Sequence, residues 1–230
     1  MNNPKQTARI AGALYLVLVL SGLFSLMYVP SKLSDWNNPE TMINNIIFNE
    51  TLFRLGIFVG IIGYIVFALL PLALYKLMSP VNKTYAVLMV AFAVVSVPIS
   101  LVNMLHKFAV LTLLSKANYL SGVDAAQIHT QILLHLDYYG NGNQLASIFW
   151  GLWLFPFGYL VYKSGFLPKI LGVFLMFGCF GYVINFTGNF LFPAYDGSLI
   201  SKIITIPGSL GEIGICLWML IMGVKKNTSH

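Results

Sequence analysis

The sequence predicts an all-α membrane protein with six transmembrane helices, and three features carry that prediction. Hydrophobic residues make up 58% of the 230-residue chain and charged residues only 9%, whereas about 25% of a typical soluble domain is charged. The mean hydropathy is +0.80. Six segments reach the length of roughly 20 apolar residues that a membrane helix needs. This composition excludes a soluble enzyme, a disordered chain and a nucleic-acid-binding protein, in spite of the net charge of +6.

The six spans form one predicted transmembrane domain that covers residues 1–230. The first span follows Lys5 and Arg9, as the apolar core of a signal peptide would. Its apolar run is too long for a signal peptide and no small-residue cleavage site follows it, so an uncleaved helix is expected. Two longer loops, 30–51 and 107–143, face outward. The predicted spans are 10–29, 52–75, 85–106, 144–162, 170–192 and 203–223.

Charge placement predicts that both termini are cytoplasmic. With six spans, more basic residues fall on the side of the termini than on the other side, and every acidic residue except Glu212 falls on the other side. Because cytoplasmic loops carry the excess of Lys and Arg, the terminal side is expected to face the cytoplasm of a bacterial inner membrane. The terminal side holds Lys5, Arg9, Lys76, Lys83, Lys163, Lys169, Lys225 and Lys226; the outer side holds Lys32, Arg54, Lys107, Lys116 and Lys202, with acids that include Asp196.

A repeated pattern suggests that helices 2–3 and helices 4–5 are duplicated hairpins. The second helix ends in Tyr75-Lys76 and the fourth in Tyr162-Lys163, and a proline-containing turn follows each. Each of these helices also carries a proline near the same end, Pro71 or Pro156. Interfacial Tyr and Lys and a loop proline can produce the same pattern without duplication, so both explanations stay open.

Glu212 is the one acidic residue inside a predicted span, near the middle of the sixth helix. An ionisable group in hydrocarbon costs roughly 2.5–3.5 kcal/mol on insertion scales and so requires an explanation. Pro207 removes a backbone donor, and the glycines at 208, 211 and 214 allow a neighbouring helix to approach closely. A kinked helix beside a buried carboxyl group can line a cavity.

Polar residues at a similar depth are Ser21, Tyr64, Ser96 and Asn185. Asn185 is the expected partner of Glu212, because an amide can donate to a carboxyl group whether that group is ionised or not. One interpretation is a proton-linked or cation-binding site. The other is a protonated, hydrogen-bonded clasp between helices.

A second set of polar residues lies near the outer boundary of the membrane: Arg54, His106, Lys107 and Asn189. Its three basic side chains could bind an anionic headgroup or a substrate carboxylate that arrives from the outer side. The alternative is ordinary snorkelling of long side chains toward water.

The outer histidines invite a zinc hypothesis, because His and carboxylate side chains are zinc ligands. His129 and His135 are six residues apart, so they do not share a helical face, and no His-x-x-x-His pattern occurs. No metal site and no cofactor is therefore predicted. The stretch 124–136 is expected to be a short amphipathic helix on the membrane surface, with Ile128 and Ile132 among the residues facing lipid.

The fourth and fifth helices carry a motif that resembles a known family. It comprises Gly151-Leu152-Trp153 and the segment from Gly158 through Tyr162-Lys163 to Gly172; Gly211-Glu212, Leu217-Trp218 and Gly223-Val224 extend it into the last helix. This pattern resembles the bacterial membrane family called domain of unknown function 4386. The resemblance is most specific from about residue 138 onward, and the first three helices match only in layout. It implies a six-helix bacterial inner-membrane protein and supplies no activity, although it places Glu212 and the Tyr162–Gly172 turn inside the matching motifs.

Three classes of function fit these observations. The first is a small-molecule or ion- or proton-linked transporter, or a ligand-binding membrane protein, with a midplane site around Glu212. The second is a non-catalytic scaffold, sensor or accessory subunit. The third is an intramembrane enzyme on a lipid-like substrate, for which only dispersed histidines and hydroxyl groups are available, so a non-enzymatic function is favoured. Membrane lipids are the expected partners and nucleic acid is not; the sequence specifies neither the substrate nor the oligomeric state.

Overall fold

The computed structural model describes residues 3–115, 117–192, 194–195 and 197–224. Over these residues it is all-helical, without strands, and it contains six helices long and apolar enough to cross a membrane. The predicted helical class and number of spans are therefore confirmed. Lys116, Asp196, Lys225 and Lys226, which the charge argument uses, lie outside the described residues.

Five of the six observed spans are longer than the predicted ones and the fifth has the same length, and a short helix, Pro39–Phe48, lies between the first two. A single turn of 3-10 helix, Asn118–Leu120, precedes the fourth span. In chain order the spans are Pro4–Leu33, Glu50–Met78, Lys83–Leu114, Ala125–Lys163, Lys169–Leu191 and Leu199–Ile221.

Several spans are interrupted. In the first span the segment Leu23–Tyr28 is a π-helix, a form that is rare and often occurs at functional sites. The sixth span divides into Leu199–Ile203 and Ile206–Ile221. Pro207 lies in the first turn of the second piece, where its missing N–H has no helical partner to lose. The break predicted from Pro207 is thus present.

The predicted outward loop 107–143 is mostly helical. The third span continues to Leu114 and the fourth begins at Ala125, so at 1.5 Å per residue their contour lengths are roughly 48 and 58 Å, well beyond a hydrocarbon core of about 30 Å. The segment expected to be a separate surface helix is the first part of the fourth span. Its apolar stripe packs on protein instead of lipid, because Ile132 is fully buried beside Val110 and Leu111.

Two apolar clusters organise the bundle. The larger surrounds Tyr15, Phe67, Trp153 and Phe157, where the spans meet. The smaller lies at the end of the bundle away from Arg9 and Ile221, and it joins the short helix Pro39–Phe48 to the first four spans. At the opposite end, the guanidinium Nη2 of Arg9 donates to the carbonyl of Ile221 over 3.2 Å, so the first span begins where the sixth span ends.

Candidate functional site

A partly open cavity of about 280 Å³ lies between the first, second, fourth, fifth and sixth spans. Residues of the π-helical segment and the helix after the Pro207 break both contribute to its wall. Most of the wall is apolar or aromatic. The aromatic members are Tyr15, Tyr64, Phe67, Trp150, Trp153 and Tyr182, and the strongly polar members are Ser21, Ser25, Ser209 and Glu212.

Glu212 lies in this wall and is half-buried. Its Oε1 accepts a hydrogen bond of 2.9 Å from the hydroxyl of Tyr15, which is fully buried. The salt bridges among the described residues consist of the Arg54–Glu50 pair alone, so in that part of the chain no cation neutralises Glu212. The structure thus places a carboxyl group with one hydrogen bond and no counter-ion against an aromatic cavity.

The prediction that Asn185 is the partner of Glu212 is wrong. The Asn185 side chain donates from Nδ2 to the carbonyl of Ser201 over 3.3 Å and accepts at Oδ1 from the hydroxyl of Tyr195 over 2.9 Å. It therefore fastens the fifth span to the short piece of the sixth span that precedes the break.

The register of the fifth and sixth spans gives the physical reason. A Cβ on Gly178 would lie 2.6 Å from Cα of Gly208, and one on Gly211 would lie 2.9 Å from the backbone N of Leu175. Because the two helices are antiparallel, each step from Gly208 toward Glu212 is a step away from Asn185. The close approach expected from the sixth-span glycines is present, but it pairs Glu212 with the level of residue 174, not 185.

Tyr15 is the residue that sequence reasoning missed. It lies within the first apolar span, and a buried tyrosine hydroxyl usually finds a hydrogen-bond partner. That rule applies to the sequence alone, since a phenol inside a membrane span is itself a donor that needs an acceptor. The predicted Tyr64 and Ser21 do line the cavity. Ser96 is fully buried, and its hydroxyl donates to the carbonyl of Ala93 in its own helix.

A group of buried hydroxyls extends from the cavity to the second, third and fourth spans. The hydroxyl of Tyr64 faces those of Tyr139 and Ser100. Within the described residues none of the three makes a hydrogen bond of ordinary geometry. Buried polar atoms of this kind are normally satisfied, by protein or by ordered water. The polar part of the site therefore reaches beyond Glu212 itself.

The predicted outer residues do not form one anion site through direct contacts. Arg54 pairs with Glu50 one turn away at 2.6 Å, and both side chains are exposed. Lys107 is buried, with its Nζ 4.1 Å from the ring centroid of Tyr139. Asn189 has a buried Oδ1 without a hydrogen bond in the described part of the chain. Arg54, Lys107 and Asn189 therefore lie in three separate environments.

His106 and His135 do approach each other, with their Nδ1 atoms 3.1 Å apart and the ring of Tyr138 against both. His129 lies elsewhere, beside a smaller hollow lined by Glu50 and Ile128. The described residues contain no group of three or more His, Cys, Asp or Glu side chains that could hold a metal ion.

Comparison with known proteins identifies the family. The family model described as "Domain of unknown function (DUF4386)" matches residues 10–223. The chain belongs to the DUF4386 family. A relative described as an uncharacterized protein, from Archaeoglobus fulgidus, is 31% identical over 170 residues, which is 74% of this chain and 83% of the relative. No solved structure gives a significant match.

The family match confirms the resemblance to DUF4386. Two parts of the matching pattern, the Gly158–Gly172 motif and the Gly211-Glu212 motif, have different surroundings in the structure. The Gly158–Gly172 motif is a helical hairpin whose two arms touch: a Cβ on Gly158 would lie 2.5 Å from the carbonyl O of Gly172. Its turn contains Gly165 at φ +73°, a conformation that glycine adopts without strain. Packing therefore explains this DUF4386 motif. Packing explains Gly211 of the second motif as well, but it leaves the adjacent Glu212 carboxyl facing a cavity.

Proposed function

We propose that this DUF4386 member binds a small molecule in the Glu212 cavity and couples that binding to the movement of a proton or ion across the membrane. The observation that carries the proposal is the uncompensated Glu212 carboxyl in the cavity wall. Glu212 lies nine residues before the end of the sixth span at Ile221, about 14 Å into the helix at 1.5 Å per residue. A charge at such depth is costly and normally has a functional partner.

The backbone around the cavity supports the same proposal. Transporters commonly place substrate and ion sites near the midplane, at interrupted helices. Here the cavity is bordered by the Leu23–Tyr28 π-helix and by the helix that restarts at Ile206. Irregular backbone in both the first and the sixth span, beside one carboxyl group, fits a binding site that changes shape.

The proposal places the chain in a cell inner membrane with both termini in the cytoplasm. It is supported by the basic residues at the terminal end of the bundle, among them Lys5, Arg9 and Lys76. The cavity then reaches from Glu212 toward the outer side through Gly22 and Met27. Duplication of hairpins 2–3 and 4–5 belongs to the same proposal, supported by Pro71 and Pro156 at equivalent places in the second and fourth spans.

A second candidate is a non-catalytic scaffold or accessory subunit in which Glu212 only holds helices together. The observation in its favour is that the Tyr15–Glu212 bond joins the first span to the sixth, as does the contact from Cys216 Sγ to the carbonyl O of Gly12 at 3.7 Å. The two candidates differ in whether water-soluble molecules reach the cavity.

Thiol labelling tests this access. Gly22 lines the cavity, and a Cβ placed on it meets nothing within 4 Å, so Gly22→Cys fits without strain. In a background where Cys179 and Cys216 are alanine, Gly22→Cys in vesicles is expected to react with the impermeant reagent trimethylammonioethyl methanethiosulfonate added from the outer side. The measurement is the fraction of protein whose mass increases by the label.

Two control variants give the labelling expected of a closed site and of an exposed site. Ser96→Cys places a thiol at a fully buried site and should stay unlabelled, whereas Ser121→Cys lies on an exposed turn and should label completely. Labelling of Gly22→Cys at the rate of Ser96→Cys would contradict the proposed function and favour the scaffold. Labelling of Ser121→Cys from the cytoplasmic side alone would contradict the proposed orientation.

A further inference from the structure

The cavity walls carry information about the ligand, and this inference rests on the proposed function. Around Glu212 the aromatic rings present faces and edges in several directions. Tyr64 and Trp150 stack with centroids 6.3 Å apart and an interplanar angle of 24°. Trp153 contacts Tyr15 at 5.9 Å and meets Phe67 edge-on at 5.2 Å. One carboxyl group is thus set into a wall of π systems.

The charged groups of the wall have one sign. Among the described residues that line the cavity there is no Lys, Arg or His, and Glu212 is the acidic residue there. The cation–π contacts of the described chain involve Lys32, Lys107 and Lys169, none of which lines it. A positively charged guest would therefore find both a carboxylate and aromatic faces without competing with a side-chain cation.

We propose that the Glu212 cavity binds a small, mostly apolar organic cation, an ammonium group that lies between the carboxylate and the aromatic rings. Aromatic faces attract such cations, and the attraction strengthens when both partners are desolvated. An anion would be repelled by Glu212. A sugar or other polyhydroxylated solute would find few partners, since the strongly polar wall residues besides Glu212 are three serines.

The size of the cavity limits the ligand. The cavity volume is about 280 Å³. It lies just below the roughly 300–1,000 Å³ typical of small-molecule pockets. A cavity of this volume fits a compact amine or quaternary ammonium ion with one ring or a short chain.

Cation binding and protonation both involve the Glu212 carboxyl group, so binding of the cation is coupled to release of a proton. When Glu212 is protonated, a cation enters as Glu212-COOH loses H⁺ and becomes Glu212-COO⁻ paired with the ammonium ion. In the described part of the chain, two titratable side chains face Glu212, and both are phenols: Tyr15 from the first span and Tyr182 from the fifth. The phenol of Tyr64 lies across the cavity, and the thiol of Cys216 lies one turn along the helix that carries Glu212. Among the described residues the wall holds no second carboxyl group to take up the released proton, so we expect the proton to leave the site.

The test uses benzyltrimethylammonium, whose permanent charge does not titrate. Binding is measured by equilibrium dialysis against the full chain in lipid nanodiscs, with binding to empty nanodiscs subtracted. Neopentylbenzene, in which carbon replaces the ammonium nitrogen, is the neutral probe of the same shape, and phenylacetate is the anionic probe. We expect saturable binding of the cation, at least about tenfold tighter than its neutral isostere, that weakens as the pH is lowered.

Glu212→Gln should weaken cation binding about tenfold or more, because it removes the charge while keeping an acceptor oxygen. Glu40→Gln is the matched control: it removes one carboxylate on the exposed short helix, away from the cavity, and should change nothing. Trp150→Leu tests the aromatic wall and should weaken cation binding by roughly threefold to thirtyfold. Its control is Trp36→Leu, at a tryptophan that is 57% exposed and outside the cavity.

The outcomes separate this inference from the proposed function. Equal binding of the neutral isostere and the cation, or tighter binding of phenylacetate, would overturn the cation inference and leave a ligand-binding cavity in place. Cation binding that is the same in Glu212→Gln and Trp150→Leu as in the unmodified chain would also overturn it. The absence of saturable binding for all three probes would contradict both.

Discussion

Gly12→Ala is expected to destabilise the helical bundle by about 1–3 kcal/mol, the usual cost of overpacking a closely fitted interior. A Cβ on Gly12 would lie 2.5 Å from the backbone N of Leu220 and 2.8 Å from its Cα. Backbone atoms cannot rotate out of the way as the end of a flexible side chain can, so the first and sixth spans must separate. The measurement is the thermal unfolding midpoint of the purified protein in detergent.

Gly22→Ala is the matched control, since it makes the same change in the same span. A Cβ there meets nothing within 4 Å, and removing a helical glycine generally stabilises a helix by about 0.5–1 kcal/mol. The midpoint should fall for Gly12→Ala and hold or rise for Gly22→Ala. Equal midpoints for the two variants would contradict the close contact of the first and sixth spans.

Tyr15→Phe is expected to destabilise the protein by about 1–3 kcal/mol, because it leaves a carboxyl oxygen of Glu212 without its donor. Glu212→Gln should cost less, since the amide oxygen can still accept from Tyr15. When Glu212 is replaced by leucine, the further change Tyr15→Phe should cost almost nothing. The coupling energy of this double-mutant cycle is expected to be about 0.5–2 kcal/mol, as for other hydrogen bonds between membrane helices.

Tyr182→Phe serves as the control for the cycle. Tyr182 also faces the cavity, but its hydroxyl makes no hydrogen bond within the described residues, so its removal should change the free energy of unfolding by less than about 0.5 kcal/mol. A coupling energy of zero between positions 15 and 212 would show that the Tyr15–Glu212 bond is absent from the membrane-embedded protein.

Sequence reasoning predicted the six spans because each is a long apolar run, a signal that does not depend on tertiary contacts. The predicted spans are too short where a helix continues beyond its apolar run into a segment with polar residues. The segment 124–136 shows this: its apolar face was assigned to lipid, yet Ile132 packs against Val110 and Leu111. Which surface covers an amphipathic face is a tertiary question that periodicity cannot answer.

For the site, the sequence predicts that the Glu212 carboxyl is the central group, but it does not predict which residues surround that carboxyl. Glu212 and the glycines around it stand out because a carboxyl group and close-packing residues are unusual in hydrocarbon. Depth counted along each helix puts Asn185 close to Glu212, but it ignores how far the fifth and sixth spans are shifted along each other, which places Glu212 level with residue 174. Tyr15 was missed because a tyrosine in an apolar run resembles packing until its acceptor is known.

The outer residues show a different limit. Arg54, His106 and Lys107 share a depth in sequence, but depth says nothing about direction around a helix. In the structure they meet Glu50, His135 and Tyr139 respectively. Contacts of this kind depend on the rotation of each helix, which a single sequence specifies only weakly.

The most direct test of the Glu212 cavity as a binding site is a high-resolution structure of the full chain in lipid nanodiscs, inspected around the Glu212 carboxyl. We expect density for water, an ion or a small molecule within hydrogen-bond distance of the Glu212 oxygen that Tyr15 leaves free. A cavity filled by an acyl chain or closed by side chains, with no such density, would contradict the proposed site and leave Glu212 as a clasp between the first and sixth spans.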